Sequence, residues 1–321
     1  MANDIIKYLK EKEYVSGEVL AKKLGISRVA VWKQIQKLKE MGYKIISDQN
    51  LGYCLVSRPD LLLPQEIQRG LSTNYIGKEI YYFPELRSTN IMAKEKALHG
   101  AEGIDEGMLI IAERQSAGKG RLGREWFSPA GGIWLSTILY PQLSPSYISR
   151  ITLMTAVAVV KAIKVCTQIE SQIKWPNDIL INEKKVCGIL TEMSAELDVI
   201  NWVVVGIGIN ANIDLRDFPE DIQENTISLK GTSGKEVLRV KLVQTFLQEF
   251  EKYYEKLKRK EFPFILREWK IYSHTLGKNI RVDIGERIIT GEAIDINESG
   301  VLILKKEDGE LIEIISGTIL K

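Results

Sequence analysis

The stretch ERQSAGKGRLGREWFS, Glu113 to Ser128, decides how the chain is read. It carries four basic residues, three glycines and one tryptophan between two apolar runs. Met108 to Ala112 has the character of a buried strand, and Gly132 to Tyr140 is rich in β-branched and aromatic residues. A cationic, glycine-permissive loop between two strands can wrap an anion. Gly118, Gly120 and Gly123 let backbone N–H groups approach phosphate, and Lys119, Arg121 and Arg124 neutralise its charge. The segment Gly118 to Gly123 also fits G-x-G-x-x-G, but a dinucleotide fold needs a helix directly after the loop. Phe127 to Gly132, FSPAGG, is turn chemistry with a strand behind it, so that reading is set aside.

Outward from the loop, 321 residues suggest two or three domains. The net charge of +2 is unevenly spread: residues 1–58 hold eleven Lys/Arg and six Asp/Glu, a net of +5, which leaves −3 for the rest. A basic first domain points toward nucleic acid. Three scattered cysteines, Cys54, Cys166 and Cys187, suggest free thiols in a reducing, cytoplasmic location. The N-terminus has no signal-peptide core, and the apolar helix near Ile151 to Ile163 is too short to span a bilayer.

Asp4 to Lys12 reads as a short amphipathic helix with Ile5, Ile6 and Leu9 inward. Ser16 caps a second helix that Gly25 ends, and Ser27 caps a third running to about Met41. Helix, Gly-containing turn, helix is the helix-turn-helix signature. The third helix buries Val31, Ile35 and Leu38 and exposes Arg28, Trp32, Lys33 and Gln36, where the motif meets base edges. Tyr43 to Val56 reads as a hairpin, giving a winged helix. The competing reading is a three-helix protein-interaction module. Arg58-Pro59-Asp60 is the expected hinge, followed by a helix from Pro64 to Leu71.

Ile80 to Phe83 reads as a strand, and Ser88-Thr89-Asn90 opens the helix Ile91 to Leu98. Those three polar side chains can cap the helix, bind a polar ligand, or do both. A buried helix spans Ile151 to Thr167. Strands follow at Ile179 to Ile181, Lys184 to Glu192 and Val203 to Asn210, with glycines where something approaches the backbone. Lys235 to Lys258 reads as a long scaffold helix. The two histidines, His99 and His274, form no pattern with Cys or Asp, which argues against a metal cluster or a histidine triad. From Gly277 onward, four short alternating strands with tight turns suggest a small barrel.

Taken together, Arg87 to Asn90, the loop Gly118 to Trp126, Lys174 to Asp178 (KWPND), Lys185 to Leu190 (KVCGIL) and Gly206 to Asn210 (GIGIN) resemble the bifunctional biotin protein ligase and biotin operon repressor family over nearly the whole chain. The resemblance implies an α+β, multidomain fold. It has a winged helix-turn-helix over 1–58, a mixed α/β catalytic domain of the class II synthetase and biotin ligase type over 59–271, and an SH3-like β-barrel over 272–321. It implies activation of biotin with ATP and Mg²⁺ to biotinyl-5′-AMP, then transfer to a lysine of a biotin carboxyl carrier protein. Biotinyl-5′-AMP would also be the corepressor of a homodimer on operator DNA. By resemblance, Arg121 and Lys185 are catalytic. Ser88, Thr89, Asn90, Gln115, Lys119, Gly120, Arg121, Lys185 and Gly188 bind biotin. Gly118, Arg124, Trp126, Lys174, Asn177 and Asn210 contact the nucleotide, and Asp178, beside Asn177, places Mg²⁺. Ser27, Arg28, Trp32 and Lys33 face DNA. One departure is Lys119, where the family usually has arginine: the charge stays but the planar fork is lost. A lipoate ligase and a DNA-binding sensor that does not make its own ligand are the other readings. Arg121 and Lys185 speak against the second, and the polar Ser88, Thr89 and Gln115 against the first.

Overall fold

The structure, a computed structural model, describes residues 5–9, 11–99, 106–285 and 287–320, with the side chain of His99 outside that set. The chain divides into two compact units, Met1–Leu61 and Leu62–Lys321.

In the first unit the helices are set by their caps. Ser16 Oγ accepts from Val19 N at 3.2 Å to start Gly17–Leu24, and Gly25 ends it in the left-handed region at φ 64°. Ser27 Oγ accepts from Ala30 N at 3.1 Å to start Arg28–Glu40, which buries Val31, Ile35 and Leu38 as its spacing predicts. The helix expected over Asp4 to Lys12 lies partly outside the described residues; Ile5, Ile6 and Leu9 are buried. Three strands follow the order β1-β3-β2: β1 Tyr14–Val15, β2 Lys44–Asp48 and β3 Gly52–Ser57. The hairpin β2–β3 is the wing. Asp48 Oδ1 shapes its turn by accepting from Asn50 N and Leu51 N, both at 2.8 Å. Gly52, at φ 99°, is required twice over, since a Cβ there would also overlap the Val15 carbonyl.

The second unit is built on a seven-stranded sheet, β4-β5-β6-β10-β9-β8-β7, comprising β4 Ile80–Phe83, β5 Leu109–Ala112, β6 Ile133–Leu139, β7 Gln172–Lys174, β8 Asp178–Ile181, β9 Lys184–Glu196 and β10 Val199–Ile209. Only β4 and β5 run parallel. Period-two alternation divides the sheet's residues between two cores. Leu109, Ile111, Val203 and Val205 pack with the helices Ile148–Thr167 and Arg239–Lys258. Ile110, Trp202 and Val204 pack with Ala93 and Ala97 of the helix Thr89–His99. The helix expected from Lys235 begins only at Arg239. Ser233 Oγ takes Lys235 N, and Asn212 Oδ1 takes Val237 N at 2.8 Å, which pins the segment to the end of β10. The helix expected over Pro64 to Leu71 ends at Gln68.

Beyond the helix Phe262–Ile271, five antiparallel strands take the order β14-β13-β12-β11-β15. The first four, β11 Asn279–Asp283, β12 Ile288–Ile296, β13 Leu302–Lys305 and β14 Leu311–Ile314, match the expected ones. The fifth, β15 Thr318–Leu320, was not expected: three residues carry too little alternation to be read.

Candidate functional site

The loop after β5 is braced at both feet. Glu113 and Arg239 form a buried ion pair at 2.9 Å. Glu113 Oε1 also accepts from Leu62 N at 2.7 Å, and Arg239 Nη1 donates to Gly132 O at 2.8 Å. Between the feet the loop ladders on itself. Gln115 N bonds Ser128 O at 3.0 Å, Trp126 N bonds Gly118 O at 2.9 Å, and Gly120 N bonds Arg124 O at 2.7 Å. Lys119 and Glu125 face each other across this ladder. At the tip, Leu122 and Gly123 take left-handed backbone at φ 56° and 73°. Gly118 is buried inside the ladder, where a Cβ would overlap the Trp126 carbonyl, and it does not reach the cavity. Its glycine serves the loop's own packing.

The loop covers a cavity of about 740 Å³. Ser88, Thr89, Asn90, Gln115, Lys119, Gly120, Arg121, Arg124, Trp126, Lys174, Asn177, Asp178, Lys185, Gly188 and Asn210 all line it. Ser27, Arg28, Trp32 and Lys33 lie in the first unit, at and just after the start of Arg28–Glu40, all exposed.

At one end the walls are neutral and hydrogen-bonding. Ser88, Thr89 and Asn90 are almost fully buried. Gln115 Oε1 accepts from Thr89 N at 2.8 Å, and Gln115 Nε2 donates to Ser128 Oγ at 2.8 Å. Ser136, missed by sequence reading, sits behind them, its Oγ 2.8 Å from Thr89 Oγ1 and 2.6 Å from Asn90 Oδ1. Asn90 Nδ2 donates to Glu192 Oε2 at 2.8 Å, and Lys94 pairs with the same carboxylate at 2.7 Å. Both ends of the Asn90 amide are therefore occupied within the protein, and it holds the pocket's shape.

At the other end the walls are cationic. Lys185 Nζ lies 2.7 Å from Asp178 Oδ1 and 4.8 Å from the centre of the Trp126 ring. Arg121 Nη1 donates to Asn177 Oδ1 at 3.1 Å and to Gly317 O at 3.2 Å. Lys174 Nζ donates to Ile319 O at 3.2 Å. Burial pulls the Arg121 guanidinium below its ordinary pKa, while Asp178 opposes the shift and Arg124 adds to it. The contribution of Gly317 to Leu320 to this wall was missed, because nothing in the order of residues shows which edge a short last strand pairs with.

The floor is β10. Its core-facing residues stay large: Val203, Val205, Ile207, Ile209. Its other face tapers through Trp202, Val204, Gly206 and Gly208 to Asn210. A Cβ on Gly206 would overlap Asn90 Oδ1, and one on Gly208 would overlap the Trp126 indole nitrogen. Gly188 lies directly opposite Gly208, and a Cβ there would come within 3.0 Å of the same ring. Trp126 thus lies flat on a lane without side chains. Its indole N–H is buried without a partner, as is Asn210 Oδ1, one donor and one acceptor left open beside the cavity.

The chain matches three families in sequence: HTH domain over 2–54, biotin/lipoate A/B protein ligase family over 82–210, and biotin protein ligase C terminal domain over 275–321. It is 39% identical to the bifunctional ligase/repressor BirA of Bacillus spizizenii over 96% of this chain and 95% of that one. It is 28% identical to the protein of that name from Escherichia coli, over 94% and 92%. In structure it resembles the biotin protein ligase of Aquifex aeolicus, solved in complex with biotin and ATP, with a TM-score of 0.65 and 30% identity over 76% of this chain and 98% of that one. The winged helix, the laddered cationic loop and the glycine-floored cavity are joined in one chain with these relatives, and the chain belongs to the bifunctional biotin ligase and repressor family.

Proposed function

We propose that the chain activates biotin with ATP to biotinyl-5′-AMP and passes biotin to a lysine of a biotin carboxyl carrier protein. With biotinyl-5′-AMP bound it represses biotin synthesis and transport genes from the cytoplasm, as a homodimer on operator DNA. The observation that carries the reading is a cavity with a neutral hydrogen-bonding end and a cationic end that share one floor. A ureido ring fits Ser88, Thr89 and Gln115, which present hydroxyl and amide groups from a buried, cross-braced wall. Its carboxylate then points toward Lys119, Gly120 and Arg121 and toward Lys185, with Gly188 leaving room beside it. The nucleotide lies along Trp126, Arg124, Lys174 and Asn177, and the open acceptor of Asn210 and the open indole N–H supply polar contacts.

In the first step a biotin carboxylate oxygen attacks the α-phosphorus. A carbon–oxygen–phosphorus bridge forms, the bond to the β-phosphate oxygen breaks, and its electron pair leaves with pyrophosphate. Two anions must meet, so the residues' work is positioning and charge stabilisation. Lys185 bridges the two reacting groups, Arg121 holds the α-phosphate, and the loop excludes water that would hydrolyse the product. In the second step a neutral lysine amine attacks the acyl carbon, the carbon–oxygen bond to AMP breaks with its electron pair leaving on the phosphate, and the surplus amine proton passes to solvent, so AMP leaves without needing a strong acid. Mg²⁺ would be held by Asp178 with the oxygen of Asn177. One carboxylate and one amide fit a cation that takes most of its ligands from phosphate and water, and no cluster of three or more His, Cys, Asp or Glu occurs among the described residues. When bound, the ion would neutralise phosphate charge.

ATP–pyrophosphate exchange measured with biotin, with lipoate and with neither tests the reading. Exchange with biotin alone is expected. Exchange with lipoate alone, or with neither acid, would reject it.

A further inference from the structure

A second group of basic side chains lines the same cavity, beside the turn between β8 and β9. The turn between β8 and β9 carries Asn182 and Glu183 in left-handed backbone, at φ 49° and 64°. Glu183 is 70% exposed, yet its carboxylate faces inward on basic groups. His274 Nε2 lies 2.6 Å from Glu183 Oε2 and 2.8 Å from Lys278 Nζ. Lys278 Nζ lies 3.9 Å from Glu183 Oε1. The hydrogen bond with His274 holds the Glu183 carboxyl below the ordinary carboxylate range, and the charges of Lys278 and Lys174 add to this. All four residues line the cavity.

We propose that Lys174, His274 and Lys278 form the seat of the leaving pyrophosphate, and that Glu183 is the resident anion that pyrophosphate displaces. The inference rests on the adenylation reading above. Adenylation leaves the α-phosphate with the loop cations and Lys185, while most of ATP's negative charge departs on the β- and γ-phosphates. That charge needs cations of its own, and these are the basic side chains of the cavity that the loop and Lys185 do not supply. Each ammonium has three donors, and the contact of Lys278 with the Glu183 carboxylate is of a kind that phosphate oxygens replace. A carboxylate on an exposed turn is a suitable stand-in, because it screens the cations when the seat is empty and moves aside at little cost.

The competing role is a strut, with Glu183 fastening the β8–β9 turn to the segment that enters β11. The two roles give opposite signs. Full-length protein carrying purified biotinyl-5′-AMP is mixed with pyrophosphate, and ATP formation is followed as pyrophosphate is varied. Lys278→Ala should raise the half-saturating pyrophosphate concentration about tenfold. Glu183→Gln, which keeps the size of the side chain and one acceptor oxygen but removes the competing charge, should lower it about two- to fivefold. Thermal melting and biotinyl-5′-AMP affinity are measured on each variant. Should Lys278→Ala fail to fold, the sign for Glu183→Gln decides alone. Two shifts in the same direction, or an unchanged half-saturation in Glu183→Gln, would overturn the seat. A wild-type protein with no biotin-dependent exchange would overturn the adenylation reading and the seat with it, whereas a wild type that exchanges isolates the failure to the seat.

Discussion

Lys185 touches Asp178 and the face of Trp126, so its removal affects two neighbours as well as the reacting groups. The proposed chemistry places its charge where carboxylate meets phosphate, and a lost preorganised stabiliser typically costs on the order of 10²–10³ in rate. Lys185→Ala should therefore slow adenylation by about that factor, measured by single-turnover formation of biotinyl-5′-AMP; a near wild-type rate would remove Lys185 from the mechanism. The glycines of the floor make a separable prediction. Gly208→Ala puts a carbon where the indole nitrogen lies, so it should raise the KM for ATP and change tryptophan emission. Gly206→Ala collides with Asn90 instead, so it should weaken biotin binding and cost about 1–3 kcal/mol of stability by overpacking. Equal effects of the two on both substrates would contradict the two-ended cavity. The lane was half legible. Glycines inside a strand announce a close approach, but which side chain approaches from which element is set by register, and Ser136 faces Asn90 only because β6 pairs with β10 at Gly206.

The loop is the element on which most of the reading depends. Its composition predicts an anion-binding role. Its internal ladder and the inward turn of Gly118 rest on pairings within the loop that composition does not specify, and its bracing rests on a contact between Glu113 and Arg239, 126 residues apart in sequence, which no local pattern contains. Arg239 Nη1 holds Glu113 on one foot and Gly132 beyond the other. Removing one partner of a buried pair leaves an uncompensated charge and costs about 3–5 kcal/mol. Arg239→Met should lower the denaturation midpoint accordingly, and a loss under about 1 kcal/mol would show that the pair does little. Between the braced feet Arg114, Ser116 and Lys119 are exposed singly, and exposure is continuous at the tip, Leu122 to Glu125. Trypsin should cut there in the free protein and much less with biotin and ATP; equal cutting in both states would mean that the tip does not close over ligand. β1 and β15 went unread for a shared reason: strands of two and three residues exist only through the neighbours they pair with.

For the whole molecule, ligase chemistry and DNA recognition sit in separately compact units. Arg28 and Lys33 are exposed at the start of a capped helix in a basic domain, as phosphate and base contacts require. Arg28→Glu should lower operator affinity at least about tenfold, with a smaller salt dependence, while carrier biotinylation persists. Loss of biotinylation in a folded Arg28→Glu protein would refute that division. One winged helix contacts one half-site, so tight operator binding calls for a dimer. If biotinyl-5′-AMP promotes that dimer, linkage requires the dimer to bind biotinyl-5′-AMP more tightly by the same factor. Sedimentation over a concentration series, with and without biotin and ATP, measures the first half; an association constant that ignores ligand would rule out the switch.

The side-chain-free lane on β10 also constrains descent. Glycine has no smaller replacement, so positions 206 and 208 can change only by gaining atoms, and the floor can be filled by mutation but not deepened. Drift there runs in one direction, and a lineage that loses the lane regains it only by restoring the glycine. A variant that admits a bulkier acid must therefore take its extra room from walls that still have atoms to give up, such as Leu190 or Trp126.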